Sequence, residues 1–457
     1  MKRPFQLGPR GLALLWLALW CGQAAGQTAW IKTLYSFPVN NATIPATCPD
    51  GANPQAGLTL GPDGNFYGTT GRGGTGGGTM FRVTTAGLLT TLAYFDGANG
   101  ANPYDLTLGT NGHFYGSTAS GTIFQVTTGG LLTTIASLSG TNGSSPAAGL
   151  TLGSDGNFYG TASKGGFNNN GTVFRVTADG VLTSLARFNF TNGQWPYAAL
   201  AEGRDGAFYG TTHTGGTSGP TIPNYGTVFR VTTNGALTVL AVFGNTNGAY
   251  AYSGLTLGSD GVFYGATQCG GVGRGNLFKI TTNGVITSLV TFNGTNGAAP
   301  SANLTLGRDG NFYGTTAGGG AGDKGEVFKL TTKGVMTILA SFSGSNGQTP
   351  NRLTLGDDGN FYGTTMYGGA SGYGTVFTLV FPLQFLPATS HPPVTGAGFQ
   401  ARLIGPPNTS AIIEASADLK NWTPVSTNTL PPVDAGGLLL SLPPGEGQQF
   451  YRARPAP

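Results

Sequence analysis

Residues 149–189 read GLTLGSDGNFYGTASKGGFNNNGTVFRVTADGVLTSLARFN. The segment divides into four short apolar runs, 149–153, 158–162, 172–177 and 181–188, separated by Ser154-Asp155-Gly156, a glycine-rich stretch and Ala178-Asp179-Gly180. Asp-Gly and Asn-Gly between apolar runs are strong hairpin signals, because the turn needs the positive φ that these residues tolerate. The segment therefore predicts four consecutive antiparallel strands. Its central phrase, Phe-Tyr-Gly, occurs seven times, with tyrosines at Tyr67, Tyr115, Tyr159, Tyr209, Tyr264, Tyr313 and Tyr362. The steps between them are 48, 44, 50, 55, 49 and 49 residues. The preceding turn recurs as Asp63-Gly64, Asn111-Gly112, Asp205-Gly206, Asp260-Gly261, Asp309-Gly310 and Asp358-Gly359.

A fixed period near fifty marks one supersecondary unit copied along the chain. Four antiparallel strands per unit is the pattern of a propeller blade. Adjacent strand residues point to opposite faces, so Phe and Tyr side by side serve a blade that packs on both sides. A β-helix would use shorter, flatter repeats without paired hairpins. The ends of the array decide closure. Residues 30–37 (WIKTLYSF) match the fourth strand, as in 335–342 (VMTILASF), and the last repeat stops at 374–380 (GTVFTLV), which matches the third. The last unit must then borrow its fourth strand from the N-terminus, which leaves no open edge. The expected fold is all-β: a seven-bladed β-propeller with velcro closure by an N-terminal strand, followed by a small β-sandwich-like domain.

Residues 1–26 read as a secretory signal peptide. Lys2, Arg3 and Arg10 precede a ten-residue apolar run at 11–20, and Ala24-Ala25-Gly26 offers a cleavage site. Ten residues are too few to span a bilayer. Trp20 before Cys21 argues against a lipoprotein site. The formal charge of +4 includes those three basic residues, so the mature chain carries 19 basic against 18 acidic groups. With 9% charged residues and no clustered basic face, nucleic-acid binding is not expected, nor is binding to an acidic membrane. Glycine, at 81 of 457 residues, recurs at fixed places in the repeat and so reports turns, not disorder. Cys48 and Cys269 stand in different repeats and make a weak case for a disulfide.

The units, with G-L-T-L-G-x-D-G-x-F-Y-G-T-T, then G-G, then G-T-V-F-R-V-T-T-x-G, resemble the GloVer tandem repeat of secreted bacterial proteins over about residues 30–380. The resemblance implies an exported, propeller-like protein and brings no catalytic residues to transfer. Such proteins commonly carry a C-terminal sorting anchor, and no apolar tail with a basic stop follows here. The domain plan is thus a signal peptide at 1–26, a propeller at 27–380, a Pro-rich linker at 381–396 and a module at 397–457. Strands in the module are expected at 399–404, 411–416, 422–426, 437–442 and 449–454. It resembles small β-sandwich modules that end secreted bacterial proteins, and sixty residues without disulfides make a marginal core.

In a propeller, fourth-to-first and second-to-third loops share one face. The fourth-to-first loop follows N-G-x-x-P, and the residue before proline is small or polar in most copies: Asn53, Asn102, Ser145, Ala299 and Thr349. In two adjacent copies it is aromatic, Trp195 and Tyr250, the latter followed by Ala251 in place of proline; Tyr197 and Tyr252 come two residues after them. Blade four also carries the longest second-to-third loop, 213–225, which holds His213, Asn224 and Tyr225. Aromatic faces with amide and hydroxyl groups suit a sugar ring, whose faces are apolar and whose rim is polar. The plainer reading has these rings holding down the inserted loop. Glu202 stands where six copies bury leucine; a buried carboxylate could act as an acid or base, but beside Arg204 and Asp205 it reads as a local salt bridge in preference to a catalytic group. Arg82, Arg175, Arg230, Lys279 and Lys329 follow the third-strand Phe, either as a basic ring or as stems covering neighbouring blades. His113 lies on a turn and is expected to be exposed, and His391 falls in the linker. Three histidines in different contexts make no metal site.

The expectation is a secreted or cell-envelope, non-enzymatic binding protein, monomeric, with no cofactor or metal. Its ligand would be a glycan or a surface protein held around blades four and five. A polysaccharide-cleaving hydrolase or lyase on the same scaffold is the alternative, as is a purely structural envelope component, because propellers host all three.

Overall fold

The computed structural model describes residues 29–38, 48–216, 224–271 and 273–381, and beyond these 384–387, 399–404, 410–416, 418, 420–429, 438–442 and 450–455. The signal peptide expected at 1–26, and His391, lie outside the described residues.

One compact unit runs to Val380 and contains seven β-sheets, one per repeat. Blade three shows the plan: Thr151–Leu152, Phe158–Lys164, Thr172–Val176 and Leu182–Arg187 pair in chain order. The first strand is shorter than the apolar run 149–153, because only Thr151 and Leu152 pair with the second strand, opposite Tyr159 and Phe158. In blades three and seven an extra segment, Ser144–Pro146 or Gln348–Pro350, pairs with the far end of the second strand. Blade seven is completed from the other end of the chain: Trp30–Ser36 runs antiparallel to Thr375–Val380, from Trp30 opposite Val380 to Ser36 opposite Thr375. The register shifts once, between Thr33 and Tyr35, as it does between third and fourth strands inside every other blade. The N-terminal strand therefore reproduces the fourth strand down to its bulge.

Seven ring pairs hold the blades together. The tyrosine of each Phe-Tyr-Gly packs on the phenylalanine of the next blade's phrase, from Tyr67 on Phe114 round to Tyr362 on Phe66, with centroids 3.8–4.3 Å apart. Each pair is worth about 0.5–1.5 kcal/mol beyond burial. In six blades the tyrosine hydroxyl donates to the aspartate of the hairpin turn, at 2.6–3.1 Å. Burial, then this hydrogen bond to Asp63, pushes the Tyr67 hydroxyl up to about 12. The third letter has its own reason. Gly68 pairs across the ladder with Phe81, and a methyl group there would lie 2.6 Å from that ring and 2.9 Å from Leu58. Only glycine lets the ring lie flat on the strand. The turn glycine Gly64 sits at φ 73°, as an Asp-Gly hairpin requires.

A second ring of contacts runs through the first strands. The hydroxyls of Thr59, Thr107, Thr151, Thr256, Thr305 and Thr354 donate to Leu106, Leu150, Leu200, Leu304, Leu353 and Leu58 of the following blade. Blade four has Ala201 at this position and lacks the bond.

The basic residues of the third strands stand in register opposite the phrase tyrosines, as Arg82 does opposite Tyr67. Arg230 and Lys329 reach the turn carboxylates of Asp205 and Asp309, at 2.7 and 2.6 Å. They serve the turns of their own blades. Cys48 and Cys269 are free thiols.

The second unit includes the chain from 381 onward. Two three-stranded sheets, Gln384–Pro387 with Phe399–Ile404 and Leu438–Leu442, and Thr423–Thr429 with Ser410–Ser416 and Phe450–Pro455, share a core of Leu403, Ala411, Ile413 and Leu440. Five strands fall close to where the sequence puts them. The sixth, Gln384–Pro387, lies within the stretch read as a linker and pairs with Phe399–Ile404. Among the described residues no helix is long and apolar enough to cross a membrane.

Candidate functional site

The fourth-to-first loop residue that precedes proline, or Ala251 in blade five, adopts the left-handed conformation in all seven blades. Asn53, Asn102, Ser145, Trp195, Tyr250, Ala299 and Thr349 have φ between 52° and 57°. Two hydrogen bonds impose it. The Trp195 N–H donates to Asn170 O of the preceding blade at 2.9 Å, and its carbonyl accepts from His213 N at 3.1 Å. Tyr250 does the same between Tyr225 O, at 3.0 Å, and Gln268 N, at 3.3 Å. Asparagine tolerates this region, whereas bulky residues are uncommon there. Blades four and five thus place their largest side chains on a backbone that disfavours them, at seams between blades.

These residues open a run of touching rings. Tyr225 meets Tyr250 edge-on at 5.9 Å, and Tyr250 lies 5.1 Å from His213. His213 is 4.5 Å from Tyr252 and 5.3 Å from Tyr197, and Tyr197 and Tyr252 stack at 5.2 Å with planes 14° apart. Tyr252 is 38% exposed; the others are half-buried. The structure thus brings together Tyr197, His213, Tyr225, Tyr250 and Tyr252. Trp195 is half-buried and shares no ring contact among the described residues, and Asn224 is half-buried beside Tyr225 in the chain. The middle of the long loop, 217–223, lies outside the described residues.

The electrostatics of the cluster are those of a neutral surface. Burial pushes the His213 imidazole below the ordinary histidine value, and hydrogen bonding with the Ala251 backbone opposes this only in part. His213 Nδ1 is buried and has no hydrogen-bond partner among the described residues. Burial, then the neighbouring Tyr252, raises the Tyr197 hydroxyl, and burial, then Tyr197, raises that of Tyr104. At neutral pH the rings therefore offer apolar faces, hydroxyls and an uncharged imidazole. The described residues contain no group of three or more His, Cys, Asp or Glu side chains placed to hold a metal ion.

Tyr104 is the residue the loop comparison missed. It follows Pro103 as Tyr197 follows Pro196, and the residue after this position's proline is aromatic only in blades two, four and five. Reading that position together with the one before proline would have found it.

Glu202 departs from its expectation. The leucines at the equivalent positions are half-exposed, so the carboxylate replaces no core residue. It accepts from Ser154 N at 2.9 Å and from Ser154 Oγ at 2.5 Å, reaching the turn of blade three, while Arg204 donates to Ser259 O of blade five. Both side chains bridge neighbouring turns, and among the described residues no ion pair joins them. His113 is likewise half-buried instead of exposed, with Gln125 Nε2 2.6 Å from its Nδ1.

The family model described as Gloeobacter/Verrucomicrobia repeat matches residues 117–308 and 272–409, together more than half of the chain. No curated relative matches the sequence. Among solved structures, the extracellular domain assigned to a hybrid two-component system of B. thetaiotaomicron is 12% identical, with a TM-score of 0.48 over 89% of this chain and 53% of that one. This chain thus spans about half of that structure's length. An extracellular domain assigned to a one-component system of the same organism is 9% identical, TM-score 0.47, over 89% of this chain and 55% of that one. A luciferin-regenerating enzyme is 14% identical, TM-score 0.39, over 58% and 87%.

Proposed function

The chain belongs to the Gloeobacter/Verrucomicrobia repeat family, and we propose that it is an exported binding protein that holds an uncharged saccharide on the loop face of blades four and five. Export is assigned to residues 1–26 as a cleaved signal, and the module after the propeller is taken as a separate domain. The ligand is held by Tyr197 and Tyr252, with Trp195 and Tyr250 flanking them and His213, Asn224 and Tyr225 behind.

The observation that supports this reading is the aromatic pair at positive φ. Holding a bulky residue in the left-handed region costs on the order of 1–3 kcal/mol, and such strain concentrates at ligand sites. The other blades keep Asn, Ser, Ala or Thr at this position. Packing on the inserted loop would account for Tyr225 and Tyr250, which touch each other. It does not account for Tyr252, the most exposed ring of the set, stacked parallel to Tyr197. Parallel, neutral aromatic faces with hydroxyls at their edges match the apolar face and polar rim of a pyranose.

The test is a glycan array probed with the wild-type chain and with a Tyr197→Ala/Tyr252→Ala variant. Losing two ring contacts worth about 0.5–1.5 kcal/mol each should weaken binding roughly five- to a hundredfold. The melting temperature of the variant, compared in parallel, separates lost contact from lost fold. Unchanged binding by a folded variant refutes the site, and failure of the wild type to retain any saccharide refutes the ligand class.

A further inference from the structure

Away from the aromatic site, blade six carries a buried carboxylate with one oxygen that nothing satisfies. Glu326 is 3% exposed. It opens the third strand, at the position held by threonine or asparagine in every other blade. In five of those blades the side chain donates to a carbonyl of the fourth-to-first loop: Thr79 to Asp50 O, Thr172 to Asn142 O, Thr227 to Asn192 O, Asn276 to Thr246 O and Thr375 to Asn346 O, at 3.2–3.4 Å. The bond ties that loop to the blade. In blade six the matching segment is Asn296-Gly297, and a glutamate replaces the donor.

The carboxylate lies against that loop. A methyl group on Gly297 would sit 3.2 Å from Glu326 Oε2, and one on Gly320 would sit 3.1 Å from Oε1. Oε1 accepts from Ser341 Oγ at 3.3 Å, whereas Oε2 is buried with no partner among the described residues. An ionised carboxylate has only acceptors to offer a loop carbonyl, while a protonated one is a donor. Leaving a charged oxygen buried and unpaired is costly. The charged groups on the packed segments are Arg274, which lies along Gly294, and Asp323 and Lys324 in the second-to-third loop. None forms an ion pair with Glu326 among the described residues. Asp323 Oδ1 is already taken by Gly319 N at 2.7 Å.

We infer that Glu326 is a proton-operated latch: with its carboxyl protonated it donates to the Asn296-Gly297 loop as threonine does elsewhere, and loss of that proton to solvent releases the loop from blade six. Burial raises the carboxyl above the ordinary glutamate range, and the Ser341 hydrogen bond opposes this only in part. The latch contributes stability that is complete below the unfolded value, about 4.3, and lost as pH rises through the folded one. The inference does not depend on the saccharide reading.

Blade seven provides an internal control, because its equivalent loop is tied by Thr375, which does not titrate. Amide hydrogen exchange of the full chain is to be followed from pH 4.5 to 7.5, corrected for the intrinsic pH dependence of exchange. Gly294 and Ala298 report the blade six loop, Gly344 and Gly347 that of blade seven. In the interval between the two carboxyl values, opening of the blade six loop relative to the control should rise about tenfold per pH unit. Glu326→Gln, which keeps a neutral donor, and Glu326→Thr, which restores the repeat, should both abolish that slope. A wild-type ratio that does not change with pH overturns the latch, and so does an unaltered slope in Glu326→Gln. If Glu326→Thr fails to fold, the wild-type ratio and the Gln variant decide.

Discussion

Replacing Phe37 by alanine tests whether the ring is closed by the chain's far end. Phe37 follows the strand Trp30–Ser36 and is fully buried among Leu58, Phe66, Phe81, Val83, Tyr362 and Val376. Its ring lies 5.4 Å from that of Phe81 in blade one. Inside the array the same contact recurs where a fourth strand ends against the next blade: Phe95 with Phe124 and Phe188 with Phe229 at 5.0 Å, and Phe292 with Phe328 at 5.8 Å. Burying a phenylalanine side chain is worth about 1.5–3 kcal/mol, and the cavity left behind brings the cost of Phe→Ala to about 3–5 kcal/mol. A domain stable by about 5–15 kcal/mol would lose a large share. Phe37→Ala should therefore cost as much as Phe292→Ala, within about 1 kcal/mol, although Phe37 lies near the N-terminus. Urea unfolding followed by tryptophan fluorescence gives both values, with unchanged slopes as the condition for comparing midpoints. A double-mutant cycle with Phe81→Ala should return a coupling of about 0.5–1.5 kcal/mol. A cost for Phe37→Ala under about 1 kcal/mol, beside several for Phe292→Ala, would show that the N-terminal strand is not part of the ring.

Three further outcomes follow from positions where blades differ. Ala201→Thr restores the inter-blade bond that the other six blades make and should add about 0.5–1.5 kcal/mol by urea unfolding; destabilisation would mean the Leu255 carbonyl is not in reach. Ala299 sits at φ 52°, where blades one and two have asparagine, so Ala299→Asn should stabilise by about 1 kcal/mol, read as a higher urea midpoint. His213 has a folded value below its ordinary 6.5, so the unfolded chain binds the extra proton first. Its contribution is present above 6.5 and is lost as pH falls through the folded value, so the wild type should lose stability relative to His213→Gln on acidification, with parallel pH profiles as the refuting result.

The architecture could be read because each blade repeats its own instructions. Asp-Gly fixes a turn by local φ preference, and Phe-Tyr-Gly supplies one ring to each face and a gap for a third. A strand such as 30–37 can be matched to its place by comparison alone. The partners of those rings were legible in kind, since seven identical phrases can only pack on one another in a closed array. What the repeat could not give was contact between unlike blades. Glu202 seemed to face Arg204 because they are two residues apart, yet a two-residue strand turns its ends toward the neighbouring turns, Ser154 on one side and Ser259 on the other. The left-handed φ at Trp195 and Tyr250 was hidden for a different reason. It comes from hydrogen bonds to the preceding blade, so it exists only once the ring has closed.

Tyr104 shows where that limit falls for the candidate site. Its blade spaces proline and leucine as P-x-x-L, at Pro103 to Leu106, one residue fewer than the P-x-x-x-L of blade four, at Pro196 to Leu200. These residues precede the first strands, Thr107–Leu108 and Ala201–Glu202, so alignment on Phe-Tyr-Gly puts Tyr104 and Tyr197 one residue out of step. Burial, then Tyr197, nonetheless raises the Tyr104 hydroxyl, and blade three, which stands between their blades in the chain, has the small Ala147 after its proline. The aromatic surface is therefore set by one kind of departure from the repeat: rings stand after the loop proline position in blades two, four and five, where blades one, three, six and seven have Gln55, Ala147, Ser301 and Asn351. Placing a ring in blade three with Ala147→Trp should separate Tyr104 from Tyr197 and leave Tyr252 untouched. A saccharide that needs only the Tyr197–Tyr252 stack would keep its affinity in that variant, whereas one that extends to blade two would lose it.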